Sequence, residues 1–105
     1  MTIKINIADK RARVEGEPVI VCGNSDYDIE FTFDSEWTNL ADKKARFVWT
    51  SRGEHHRDDV DIIDNTVRVP VLSGTSMVEI GVYGGNLRAT TPARIPCEYS
   101  VRCVL

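Results

Sequence analysis

The chain has 105 residues, 42% of them hydrophobic and 28% charged, with a formal net charge of −3. That is one domain's length and an ordinary globular composition, enough to bury roughly two-thirds of the extended surface. It excludes a collagen, a long disordered protein and a disulfide-packed miniprotein; no apolar run approaches the roughly 18 residues of a membrane span, and the net acidity argues against nucleic-acid binding by bulk charge.

Period-two alternation dominates from the start. Ile3, Ile5 and Ile7 alternate with Lys4 and Asn6, which predicts a strand, and the same opening lacks the apolar stretch of a signal peptide. Pro18-Val19-Ile20-Val21-Cys22 reads as a short apolar strand closed by the turn Gly23-Asn24-Ser25-Asp26. Tyr27, Ile29, Phe31 and Phe33 alternate with Asp28, Glu30 and Thr32, the clearest strand of all, with one aromatic and one acidic face. Phe33-Asp34-Ser35-Glu36-Trp37 reads as a corner leaving that strand, and only residues 37–44 could hold about one helical turn. Ala45, Phe47 and Trp49 form another alternating set, followed by a turn or loop through Arg52-Gly53-Glu54-His55-His56.

Val60-Asp61-Ile62-Ile63 and Thr66-Val67-Arg68-Val69 flank Asp64-Asn65, a link suited to positive φ and a tight hairpin. Pro70-Val71-Leu72-Ser73-Gly74 predicts a helical turn or a bend. Val78, Ile80 and Val82 alternate again, Gly84-Gly85-Asn86 turns the chain into Leu87-Arg88-Ala89-Thr90, and residues 95–104 form a last strand. Pro96 confines the start of that strand to an edge or a bulge. The sum is seven to nine short strands with turn signals between them, hence an all-β antiparallel sandwich or barrel, one domain over residues 1–105. The expected core is Ile5, Val19, Val21, Tyr27, Ile29, Phe31, Phe33, Trp37, Phe47, Trp49, Ile62, Val67, Val69, Val78, Ile80 and Val82.

Charge is uneven along the chain. Residues 26–42 carry six acids and no base, while residues 65–105 carry two acids and four arginines. Solvated strand faces are the plain reading, and a partner contact of complementary charge the sharper one. There are three cysteines. Cys97 and Cys103 on one strand would lie about 20 Å apart, too far to bond; Cys22 could pair with either, but without an export signal Cys22, Cys97 and Cys103 are expected to be reduced. Cys22, Trp37 and Cys97 imitate the spacing of an antibody variable domain, but Ile95 stands where the tyrosine corner requires Tyr.

No constellation for chemistry emerges. His55 and His56 are followed by Asp58, Asp59 and Asp61, yet adjacent strand residues face opposite ways and no metal-ligand spacing accompanies them. The acids lack the glycine and terminal glutamate of a calcium loop. No Gly-x-Ser-x-Gly elbow places a serine beside a base. Gly81-Val82-Tyr83-Gly84-Gly85 matches neither a P-loop nor a dinucleotide fingerprint, and its glycines suit a close strand approach followed by a hairpin. We therefore expect no enzyme and assign no catalytic, cofactor-binding or metal-binding residue. The aromatics on inward parity belong to the core rather than to a sugar-binding platform, and Tyr83 and Tyr99 are the candidates for surface contact.

Two stretches carry a resemblance. One is Tyr27-Asp28-Ile29-Glu30-Phe31-Thr32-Phe33-Asp34-Ser35-Glu36-Trp37 with Lys43-Lys44-Ala45-Arg46-Phe47. The other is Ile80-Gly81-Val82-Tyr83-Gly84 with Leu87-Arg88-Ala89-Thr90-Thr91-Pro92-Ala93. With the Gly16-Glu17-Pro18-Val19 opening, they resemble the N-terminal immunoglobulin-like domain of baseplate upper proteins and related minor tail proteins, from phages and prophages of Gram-positive bacteria. The resemblance implies a β-sandwich that anchors a tail or baseplate protein, with no catalytic residues to carry over. Longer members continue into helical, coiled-coil and receptor-binding parts, often as trimers. The chain would then be an N-terminal fragment or a short stand-alone member.

The expected function is accordingly that of a viral structural protein, docking by protein–protein contacts without catalysis or cofactor. Its expected partners are other tail or baseplate proteins, with homo-oligomerisation to a trimer or higher as an option, and neither nucleic acid nor membrane. The implied location is the virion tail, assembled in the bacterial cytoplasm. The alternative is a small stand-alone module that binds a carbohydrate or a host protein.

Overall fold

The structure is a computed structural model that describes residues 1–85 and 88–101. Among these it has ten strands and one helical turn: β1 Thr2–Ala8, β2 Arg11–Val14, β3 Ile20–Val21, β4 Asp28–Phe33, α1 Ser35–Thr38, β5 Lys43–Ser51, β6 Glu54–Asp61, β7 Thr66–Arg68, β8 Met77–Gly84, β9 Arg88–Ala89 and β10 Ala93–Glu98. They form the expected all-β, immunoglobulin-like sandwich. One sheet runs β2-β1-β4-β7; the other runs β3-β10-β8-β5-β6, with β9 also paired to β8.

Two details differ from the expectation of seven to nine antiparallel strands. Ten strands form because β2, β3 and β9 are pairings of only two to four residues. The sheets are also mixed, since β1 pairs β4 and β3 pairs β10 in parallel. Between β1 and β4 the chain visits the opposite sheet as β3, so it returns running the same way.

Two hairpins rest on positive backbone angles. Asp9 and Lys10 (φ 53° and 60°) link β1 to β2, and Arg52 and Gly53 (φ 53° and 80°) link β5 to β6. Such primed turns match the twist of the strands they join. Asp64 and Asn65 adopt the expected positive φ, 53° and 62°. Yet the strands they connect, β6 and β7, lie in different sheets, and only the Ile63–Thr66 bridge closes the turn. The link is thus a sheet-crossing corner, tied by Phe31 N–H donating to the Asn65 carbonyl at 2.8 Å. Residues 70–76 carry no helical turn, only bends at Gly74 and Ser76.

The core fills the space between the sheets. Ile5, Tyr27, Ile29, Phe31, Trp37, Phe47, Val67, Val69, Val78, Ile80 and Val82 are buried as expected. Val19 and Val21 are half-exposed, because the strand's phase turns Ile20 and Cys22 inward instead. Phe33, Trp49 and Ile62 pack only partly against the core. Ile3, Ile7, Ala12, Leu72, Ala45, Ala93, Ile95 and Cys97 complete it. The last strand ends at Glu98, so residues 99–101 do not extend it, and its expected continuation to residue 104 lies outside the described residues. Pro96 sits where expected: Cys97 N–H bonds to Ser76 across β8, so the missing donor of Pro96 faces the other side, just before β3 begins to pair.

The corner after β4 turns on Trp37. The helical turn falls at residues 35–38, earlier than the expected 37–44, because Asp34 begins it and Trp37 must turn into the core. Trp37 is fully buried, 6.3 Å from the Phe33 ring. Lys43 Nζ donates to the Trp37 and Leu40 carbonyls, both at 3.2 Å, and lies 4.8 Å over Phe33. The Trp37 carbonyl also accepts the Leu40 N–H at 3.1 Å, so the ammonium adds a second donor at the end of the turn.

Candidate docking surface

The outer face of the larger sheet carries a groove. It begins with a gap in the ladder. Along one side of β8, β10 pairs with Met77–Ile80 residues and β9 with Tyr83 and Gly84. Between them the chain bulges away through Thr90 and Pro92, and Thr91 N–H crosses to the Lys10 carbonyl at 2.9 Å. Thr90 holds the bulge to β8, donating its N–H to the Val82 carbonyl at 2.9 Å and accepting the Val82 N–H on Oγ1 at 3.0 Å. A Cβ at Gly81 would stand 3.4 Å from Thr90 Oγ1, an ordinary contact, whereas one at Gly84 would stand 3.2 Å from the Asp42 carbonyl oxygen. The glycine-rich run therefore does serve a close strand approach.

The result is a groove of about 590 Å³, with Gly81 and Val48 in its floor and Tyr83, Arg46, Arg88 and Pro92 in its walls. Arg46 and Tyr83 are fixed by a shared carboxylate. Arg46 donates Nε to Asp59 Oδ1 at 2.8 Å and Nη2 to Oδ2 at 3.2 Å, while the Tyr83 hydroxyl donates to Oδ2 at 3.1 Å. The guanidinium also lies 4.8 Å over the Tyr83 ring. The Arg46 fork holds the Asp59 carboxyl below its usual range and raises Arg46 in turn. Bidentate pairing of this kind gives geometric fixity more than stability at an exposed site. Arg88 reaches across to the corner, where its Nη1 donates to the Glu36 carbonyl at 2.6 Å.

The residues singled out in the sequence disperse over this fold. His55 and His56 lie on β6, not in a loop, and face opposite ways. His55 Nδ1 is 3.1 Å from Thr50 Oγ1, and His56 stacks on Trp49 at 5.5 Å. Among the described residues, no group of three or more His, Cys, Asp or Glu is placed to hold a metal ion, and no helix is long and apolar enough to cross a membrane. Cys22 and Cys97 are buried thiols, not joined by a disulfide, and burial pushes Cys97 up to about 12. Cys103, Arg102, Asn86 and Leu87 lie outside the described residues.

The acidic stretch of residues 26–42 does not form one face. Asp28 pairs with Arg68 at 2.8 Å on the smaller sheet, and Glu36 with Lys10 at 2.7 Å at the corner. Asp34 accepts the Asp9 N–H at 3.0 Å. Of the two tyrosines expected at the surface, Tyr83 lines the groove and Tyr99 is about half exposed. Sequence reasoning missed Arg46, Asp59 and Arg88 as site-formers. Their cross-strand pairing depends on register, which alternation alone does not fix. No family model matches the chain, and no curated protein matches it.

Proposed function

We propose that the chain is a structural docking module that works by protein–protein contact without catalysis, and that its setting is the tail or baseplate of a phage or prophage. The observation that carries the docking reading is the groove itself. It is a concavity on a rigid sheet, walled by a tyrosine and two arginines and rimmed by paired charges. Tyr and Arg are enriched at the centres of protein interfaces, within polar rims. A sugar platform is less favoured, because Arg46 already covers one face of the Tyr83 ring.

The setting rests on the two resembling stretches. They are distant in sequence but adjacent in space: Gly84 lies against Trp37 and Leu40, and Arg88 bonds to Glu36. The two stretches thus meet at the corner after β4, and residues of both, Arg46, Gly81 and Tyr83 among them, line the groove.

The test is calorimetry of the purified chain against the tail and baseplate proteins encoded beside its gene. We expect saturable binding to at least one of them, weakened about tenfold or more by Tyr83→Ala, as for an interface centre. Binding to none, with retention of a glycan or a host protein instead, would replace this reading with the stand-alone binder.

A further inference from the structure

β6 ends the larger sheet, so one of its long sides faces no neighbouring strand. The other terminal strands are shorter, and two of them have that side occupied. β3 has two residues; on the side away from β10, Val21 donates its N–H to Tyr27 Oη at 3.0 Å and Gly23 donates to the Leu72 carbonyl at 2.8 Å. β2 has four residues and is bridged at Arg11 to Thr91, while β7 has three. β6 has eight. Ile62 N–H bonds to the Lys43 carbonyl, which sets the alternation along β5 and β6. Residues 54, 56, 58 and 60 therefore bond to β5, while His55, Arg57, Asp59 and Asp61 turn N–H and C=O outward. An open edge of this length is a template to which an extended segment can add.

The side chains along this edge fall into two sets. On the outer face the acids are already matched: Asp59 meets Arg46 at 2.8 Å and Arg57 at 4.0 Å, and Asp61 meets Lys44 at 3.6 Å. The opposite face of β6 carries Glu54, His56, Asp58 and Val60. Among the described residues, neither the Glu54 nor the Asp58 carboxylate has an ion pair or hydrogen bond, and their partners across the ladder are Ser51 and Phe47. One face of the open edge therefore holds two unmatched negative charges and no cation.

We propose that the β6 edge takes an extended segment of a partner protein as a further strand, and that this segment carries two basic residues four positions apart. One stands opposite Glu54 and the other opposite Asp58. Strand residues four apart share a face about 13 Å from one another, which matches the spacing of the two acids. Opposite charges across a ladder stabilise it and like charges oppose it. The same two carboxylates therefore disfavour an acidic segment, a second β6 strand included. Backbone pairing along His55, Arg57, Asp59 and Asp61 supplies the attachment, and the two acids select the partner.

This adds a second contact to the docking reading and does not use the groove. The probe is the synthetic peptide acetyl-Thr-Lys-Val-Thr-Val-Lys-Thr-amide, whose lysines are four apart and which reads the same in both directions. The isotope-labelled chain is titrated with it in low salt, where surface charges are least screened. Amide resonances and amide hydrogen exchange are followed together. The expected result is saturable binding that shifts the β6 amides, with those of His55, Arg57 and Asp59 exchanging more slowly. Glutamate in place of both lysines weakens binding about tenfold or more. Glu54→Gln combined with Asp58→Asn does the same, since either change removes both cross-strand ion pairs. No binding at about 1 mM peptide overturns the proposal. So do shifts confined to residues outside β6, or binding indifferent to both charge changes. A chain that binds tail proteins but not the peptide overturns the edge proposal alone and leaves the docking reading standing.

Discussion

Replacing Trp37 by alanine tests the corner on which the sandwich turns. The indole is fully buried, rests 6.3 Å from the Phe33 ring and would lie 3.6 Å from a Cβ at Gly84. Three segments, β4, α1 and the end of β8, therefore close on one side chain. Truncating a buried tryptophan costs about 3–5 kcal/mol, the transfer loss plus the cavity that rigid neighbours leave. For a domain of this size, each kcal/mol lowers the melting temperature by about 4–8 °C, which gives a drop of about 12–40 °C. Calorimetry reads the shift, and urea unfolding checks it through a lower midpoint at unchanged slope. Should the alanine variant fail to fold, Trp37→Phe keeps the reasoning testable. It preserves most of the apolar volume, and the indole N–H it removes has no acceptor among the described residues. Its expected cost is about 1.5 kcal/mol. A melting temperature within 2 °C of the parent for Trp37→Ala would refute the placement of Trp37 as a core corner.

Gly84→Ala places a Cβ 3.2 Å from both the Asp42 carbonyl oxygen and Leu40 Cδ1. The side chain can yield but the backbone oxygen cannot, so a loss of about 1–2 kcal/mol is expected, and a thermal melt at or above the parent's would contradict it. Cys22 and Cys97 should resist a maleimide at pH 8 in the folded protein and react once urea is added, as read by intact mass. Rapid labelling of either in the fold would show that it is not buried. A reductant should leave the melting temperature unchanged. Because the folded Cys97 keeps its proton up to about 12, against an ordinary value of 9.0, the unfolded state binds fewer protons above pH 9. Stability should therefore fall as pH rises past 9, and Cys97→Ser should flatten that fall.

Much of the fold was legible because one face of most strands is buried. Ile29, Phe31, Ile80 and Val82 announce their strands by alternation, and each lies in the core. β6 was half hidden for the opposite reason: Glu54-His55-His56-Arg57-Asp58-Asp59 is exposed or half-exposed on both faces, so no apolar period marks it. The phase of Val19-Ile20-Val21 was misread because a continuous apolar run has no period to set it. Asp64-Asn65 revealed its backbone angles but not the sheet-crossing, which depends on long-range pairing of β7 with β4. The groove was foreshadowed by its glycines and Tyr83. Arg46, Asp59 and Arg88 were not, since their meeting requires the registers of β5, β6 and β8 and the corner at Glu36.

On the proposed function, this sandwich is a built-in part of a tail assembly. Its most direct test is the protein composition of phage or prophage particles purified from cells that carry the gene. Quantitative mass spectrometry should find the chain, alone or within a longer polypeptide, in whole-number ratio to the tail proteins, and particles lacking it should have incomplete tails. Complete particles that contain none of it, with the chain recovered wholly outside them, would contradict the account.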